Sequence, residues 1–188
     1  MKSIRLKKMI VFFVIGVLIF TSTASVNAAT YNLNVTKYSQ EYANWCWVAC
    51  AKMIGNYYGS SYSQSTICTY VKGGAVNDTA TLDEITSAIK FASNKTVFQG
   101  GTVIFDAFVM SIKNSKPSVL RMAWDSGGGH VYVVSGVQEE SGPALACLYL
   151  IDPFAGTSSA LISYSKLING TTLSSGTGKY SHTWTVNP

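Results

Sequence analysis

Charge is scarce in this chain. Only 12% of its 188 residues are Asp, Glu, Lys or Arg, and only two are histidine. Four of the fourteen basic residues (Lys2, Arg5, Lys7 and Lys8) lie within residues 1–28, which hold none of the nine acidic ones, so residues 29–188 carry a net charge of only +1. That balance offers nothing to a phosphate backbone and excludes nucleic acid as an expected partner. The two histidines, His130 and His182, stand far apart, and no cysteines have Cys-x2-Cys spacing. No metal constellation follows, and no cofactor is expected. Long apolar runs are also lacking. Residues 9–20 form the longest, at 12 residues, against about 20 for a membrane span. There is no internal repeat and no wall-binding repeat.

What is present begins with a three-part N-terminus. A basic stretch (2–8) precedes the apolar run, and a small polar region ends at Val26-Asn27-Ala28. This is the layout of a secretory signal cleaved after Ala28. The alternative, an uncleaved anchor, asks for a longer apolar run, and no cysteine follows the run to carry a lipid. The expectation is a secreted protein: residues 1–28 a signal peptide, residues 29–188 one domain. Its 160 residues suffice for a core of their own. It is expected to be a monomer with no stable membrane insertion after cleavage.

Export permits disulfides among Cys46, Cys50, Cys68 and Cys147. Cys50–Cys68 is the favoured pair, because the two fall on or near consecutive helices, and the bridge would contribute about 3 kcal/mol in the chain-entropy view. Cys147 lies in an apolar run and reads as a buried core thiol. Bridging Cys46 to Cys50, one helical turn apart, strains the bond.

Helical patterns come first along the chain. Residues 46–58 place Trp47, Cys50, Ala51, Ile54 and Tyr58 on one stripe, with Gly59 as the stop. A short helix is predicted over 63–71 with Ser63 as its cap. Thr81-Leu82-Asp83-Glu84 is a capping box opening a helix to about residue 92, and another helical pattern runs over 103–114 before Pro117. The texture then changes. Strands are predicted over 119–124, 130–137, 145–151, 159–164 and 180–186, with glycine-rich or polar turns at 125–129 and 139–143 and a short helix near 165–168. Helices first and strands second point to an α+β fold with segregated elements.

Four residues carry candidate chemistry. Cys46 opens a helix, where free N–H groups and the helix dipole favour a thiolate. Gln40, six positions upstream, has a side-chain amide able to donate to an oxyanion, with the Cys46 N–H as second donor. Taken alone, a cysteine is most often an inert core residue and a glutamine an ordinary loop residue. His130 starts a strand after Gly127-Gly128-Gly129, so backbone and substrate approach it closely, and its ring suits a general base and acid. His182, with no glycine turn before it, reads as a surface strand residue. Asp152 closes the next strand and is placed to orient an imidazole, although Asp-Pro is also a common turn opener. Asp125, the competing acid, reads as turn chemistry.

Together these residues resemble the papain-like cysteine peptidases, in particular small bacterial secreted or effector proteases and the peptidases that cleave double-glycine bacteriocin leaders. The resemblance rests on Gln40-x5-Cys46-Trp47, on the run from Trp45 through Met53 to Tyr57-Tyr58-Gly59, on Gly129-His130-Val131, and on Tyr149-Leu150-Ile151-Asp152-Pro153. It spans residues 40–154. It implies Cys46 as nucleophile, His130 as acid and base, Asp152 as orienting residue and Gln40 as oxyanion-hole donor. Papain itself has Asn in the third role, so Asp152 is closer to the leader-peptidase branch. The implied architecture is an N-terminal helical subdomain packed against a C-terminal antiparallel sheet, with the cleft between them, acting on a peptide or protein substrate. Two other readings stay open: a peptidoglycan amidase or endopeptidase of related fold, and a non-catalytic secreted binding or toxin module.

Overall fold

The structure is a computed structural model that describes residues 29–139 and 146–187. Residues 1–28, where a signal peptide is expected, and most of the predicted 139–143 turn lie outside the described residues. No helix of the described residues is long and apolar enough to cross a membrane.

Local chemistry sets the helix ends. Helix α1 (Cys46–Tyr57) has no side-chain cap. Its start is held instead by Trp45, fully buried, whose indole N–H donates to the Val76 carbonyl at 2.7 Å. Helix α2 (Gln64–Lys72) is capped by Ser63, which accepts from the Thr66 N–H, and ends at Gly73 in the left-handed region. Helix α3 (Leu82–Ser93) has the full capping box: Thr81 accepts from the Glu84 N–H at 3.2 Å and Glu84 accepts from the Thr81 N–H at 2.7 Å. Helix α4 (Phe105–Lys113) starts two residues later than the 103–114 pattern suggests, and α5 (Tyr164–Asn169) is a six-residue turn of helix.

Eight strands form one antiparallel sheet: β1 (Ala29–Asn32), β2 (Thr96–Gly100), β3 (Ser118–Trp124), β4 (Gly129–Glu139), β5 (Cys147–Ile151), β6 (Ala160–Ser163), β7 (Thr171–Leu173) and β8 (Gly176–Asn187). The order is β2-β8-β3-β4-β5-β6, with β1 paired to β4 and β7 to β8. Alternation along β3 and β4 feeds two cores. Val119, Val131 and Val133 face α1, α2 and α3, while Leu120, Met122, Tyr132 and Val134 face α4 and α5. The α+β arrangement is therefore as the sequence implies, with the refinement that α4 and α5 cover the opposite sheet face. Each fully buried large side chain, Trp45, Trp47, Trp184 and Phe108 among them, contributes about 1.5–3 kcal/mol.

Some expectations fail. The disulfide Cys50–Cys68 is not formed; both are free thiols. Their sulfurs point different ways: Cys50 donates to the Val131 carbonyl in β4 at 3.4 Å, and Cys68 turns toward the Gly74 and Val76 carbonyls. Consecutive helices do not guarantee facing Cβ vectors. Cys147 is partly rather than fully buried, at the start of β5 between Gln138 of β4 and Ser163 of β6. Strands β2 and β7 had no signal: β2 buries only Val97 and β7 has three residues.

The tightest helix contact is α1 on α3. A Cβ on Gly55 would stand 2.7 Å from the Ala92 carbonyl oxygen and 2.9 Å from the Ala92 Cβ. Gly55→Ala gains helix propensity but forces these backbones apart. It is expected to destabilise the protein by about 1–3 kcal/mol in urea unfolding. An unchanged or raised midpoint would show that the two helices yield freely there.

Candidate active site

The antiparallel pairing of β4 and β5, with Val133 opposite Ile151, brings the start of one strand beside the end of the other. His130 and Asp152 sit at those two positions, 8% and 6% exposed, with Nε2 of the ring 2.7 Å from Oδ1 of the carboxylate. Helix α1 packs across the other sheet face and sets Cys46 in its first turn. The Cys46 side chain and the His130 ring face the same pocket and interact. With Nε2 committed to Asp152, Nδ1 is the ring nitrogen left to serve the thiol. Cys46, His130 and Asp152 are thus brought together from residues 106 apart in sequence.

Electrostatics at the pair are strong. Burial of the ring works against a charge on His130, but the Asp152 hydrogen bond, the Cys46 contact and the nearby negative charges outweigh it, and its pKa is pushed up to about 9. Burial likewise works to raise Asp152. Hydrogen bonds from His130 and from the Phe154 N–H at 2.8 Å, with the imidazolium charge, hold the carboxyl below its ordinary value. A thiol beside such a ring can pass its proton to Nδ1 and become a nucleophile, and the resulting imidazolium can later protonate a leaving group.

Gln40 is placed differently. Its backbone N–H donates to the Pro153 carbonyl at 2.8 Å, which ties its loop to the end of β5. Its side-chain amide donates to the carbonyls of Tyr42 and Ala43 at 3.0 and 2.7 Å, and Oε1 is buried without a partner. The NH2 group therefore faces its own loop. His182 lies on β8 opposite Arg121. Asp125 stays in the exposed β3–β4 turn, where its N–H donates to Thr177.

Several contributors were not legible. Ser175, in the β7–β8 turn, donates to Asp152 Oδ2 at 3.0 Å, and the Tyr132 hydroxyl bonds to Ser175 in turn. Only the strand alternation that puts Tyr132 two residues from His130 hinted at this line of groups. Trp124 lies nearly parallel to the His130 ring, with centroids 6.4 Å apart. Gln64, fully buried, accepts from the Glu41 N–H and donates to the Ser39 carbonyl, clamping the loop on both sides of Gln40. A pocket of about 250 Å³ opens beside Cys46 and His130, walled by Trp47, Ile85, Val131 and the 128–129 backbone. Asn44, Trp45 and Trp47 hold its other rim by bonding to residues 76–78. Among the described residues no group of three or more His, Cys, Asp or Glu side chains could hold a metal ion.

Known proteins resemble this chain in sequence and in fold. The sequence matches the family described as papain-like cysteine protease AvrRpt2 over residues 27–169. No curated protein matches it significantly. Among solved structures, a protein described as a C39-like peptidase from Bacillus anthracis superposes with a TM-score of 0.61 at 12% identity, over 85% of this chain and 98% of that one. The peptidase domain of Streptococcus ComA, a bifunctional ABC transporter of a quorum-sensing pathway, gives 0.55 at 17% identity, over 84% and 98%. UfSP from C. elegans gives 0.53 at 11%, over 84% of this chain and 34% of that one. At these identities the structures speak for the fold.

Removing the Ser175 hydroxyl leaves Asp152 Oδ2 and Tyr132 without their shared partner. Ser175→Ala is expected to cost about 1–3 kcal/mol at neutral pH. Because the folded pKa of Asp152 is lowered, its stabilisation exists above the unfolded carboxyl's pKa and is lost as pH falls through the folded one. Part of the Ser175→Ala deficit should therefore vanish in acid. Denaturant unfolding across that range checks this, and a deficit that stays flat contradicts the network.

Proposed function

The chain belongs to the papain-like cysteine protease family of AvrRpt2 and is a cysteine peptidase, and from that premise we propose that Cys46, His130, Asp152 and Gln40 perform the hydrolysis. The observation that carries this is the single contact line from Cys46 through His130 to Asp152. His130 takes the thiol proton on Nδ1. The thiolate attacks the scissile carbonyl carbon, and the carbonyl electron pair becomes an oxyanion. The Cys46 N–H, free at the helix start, donates to that oxyanion. Gln40 supplies the second donor by turning its amide away from the Tyr42 and Ala43 carbonyls. As the oxyanion collapses the C–N bond breaks, and the imidazolium gives its proton to the leaving amine. Water, deprotonated by His130, then attacks the acyl-thioester and returns the thiol. Asp152 keeps the ring oriented and stabilises its charge throughout.

The substrate is a peptide or protein. The setting is outside the cell, a reading supported by the N-terminal layout of residues 1–28.

Two variants test the assignment on a peptide library, with denatured protein and purified peptidoglycan run beside it. Cys46→Ala is expected to lower turnover on the order of 10⁴-fold or more and to abolish labelling by a thiol-directed active-site probe. Gln40→Ala is expected to lower kcat by about 10²–10³. Undiminished cleavage by Cys46→Ala removes the nucleophile. Cleavage confined to peptidoglycan moves the protein to the amidase reading.

A further inference from the structure

Arg121 is the one charged side chain lining the pocket beside Cys46 and His130, apart from the ring itself, and no aspartate or glutamate lines it. It sits on β3 in phase with Val119, on the sheet face covered by α1. Its guanidinium is held rigidly. Nη2 donates to the Gly128 carbonyl at 2.6 Å and Nη1 to Ser181 Oγ at 3.1 Å. Gly129 makes room for it: a Cβ there would lie 2.8 Å from Nη2 and collide with the Met122 carbonyl. Two of its five N–H groups are thus used to fix the plane, and the others have no protein acceptor among the described residues.

An arginine drawn out of water gains from an acidic partner, and the more so the deeper it lies. The ion pairs of the described residues are Lys72 with Asp78 and Glu84, Lys113 with Glu139, and His130 with Asp152; none includes Arg121. Glu139 closes the far end of β4, ten residues from Gly129, or roughly 30 Å of strand. Residues 1–28 hold no acid. Apolar walls from Trp47, Ile85 and Val131 strengthen any charge pairing made there.

We infer that Arg121 is a specificity residue that receives a substrate carboxylate close to the scissile bond. This rests on the peptidase reading above and goes further by naming the substrate class. Two sources share that chemistry: an Asp or Glu side chain, and the C-terminal carboxylate of a short peptide. A planar fork that lines the pocket and keeps spare N–H groups suits either.

The test uses the purified full chain and three matched peptide sets. One scans Glu against Gln across the positions flanking the scissile bond, with amidated C-termini. The second has Gln throughout and a free C-terminal carboxylate. The third has neither charge. One of the first two sets is expected to show kcat/KM higher than the third by about tenfold or more, as for a charge-assisted hydrogen bond. A gain in the first set identifies a side-chain carboxylate, and a gain in the second identifies the chain terminus. Arg121→Gln should erase the gain while the uncharged peptides are still cleaved, and Arg121→Lys should keep part of it. Equal kcat/KM for acid and amide in the parent protein overturns the inference without any variant, and so does a gain that survives in Arg121→Gln. If no peptide is cleaved, the same sets are compared for protecting Cys46 from alkylation by chloroacetamide. Stronger protection by a carboxylate peptide upholds Arg121 even though the hydrolytic reading fails, and equal protection overturns Arg121 on its own account.

Discussion

An imidazole and a carboxylate nearly withdrawn from water are each expensive to bury alone, and together they hold only if their geometry is good. In this protein the sheet supplies that geometry. The register of β4 against β5 sets His130 and Asp152 edge to edge at 2.7 Å. The Phe154 N–H gives Oδ1 a second donor and the Ser175 hydroxyl donates to Oδ2. Everything else at the site is arranged around that pair. Tyr132 supports Ser175, Trp124 lies alongside the ring, and the loop containing Gln40 is pinned to Pro153 one residue beyond the acid.

The second element, the thiol, is placed by packing rather than by polar contacts. Helix α1 is buried along most of its length, and its Cys50 thiol donates to the carbonyl of Val131, the residue after His130. That weak contact accompanies the apolar packing, which sets the helix height on the sheet and with it the position of Cys46 four residues earlier. Trp45 and Trp47 flank the thiol and fasten the 76–78 segment, so the pocket rim and the helix start are one rigid piece. Burial, followed by the charges of Cys46 and Asp152, pushes the Cys50 thiol well above its ordinary pKa. Two cysteines four residues apart therefore occupy opposite situations: one embedded and protonated, one at the mouth of a pocket beside a basic ring.

Much of this was legible in the sequence, for reasons specific to particular residues. The Thr81–Glu84 capping box is local chemistry and forms as written. The strand beginning at His130 and the strand ending before Asp152 were visible as apolar alternation, and two neighbouring strands in sequence tend to pair. What was not legible depends on contacts between distant segments. Ser175 is 23 residues from Asp152 in a turn without pattern, and Gln64 clamps a loop 23 to 25 residues upstream. The direction of the Gln40 amide is set by carbonyls two and three residues away, which spacing to Cys46 does not encode. The disulfide expectation failed because it used the order of the helices and not the direction of their side chains. Arg121 was passed over because a lone basic residue within a strand gives no hint of which face will be lined by glycine backbone.

Asp152 and Cys46 hold the His130 ring protonated well above the range of a free histidine. NMR titration of the two imidazole rings measures this directly, since His182, whose pKa is lowered by burial and by Arg121, supplies the contrast within the same spectra. The account requires the His130 signals to titrate near pH 9, and to move markedly downward in Asp152→Asn. A His130 ring that titrates near 6.5, or one indifferent to the loss of the Asp152 charge, would contradict it.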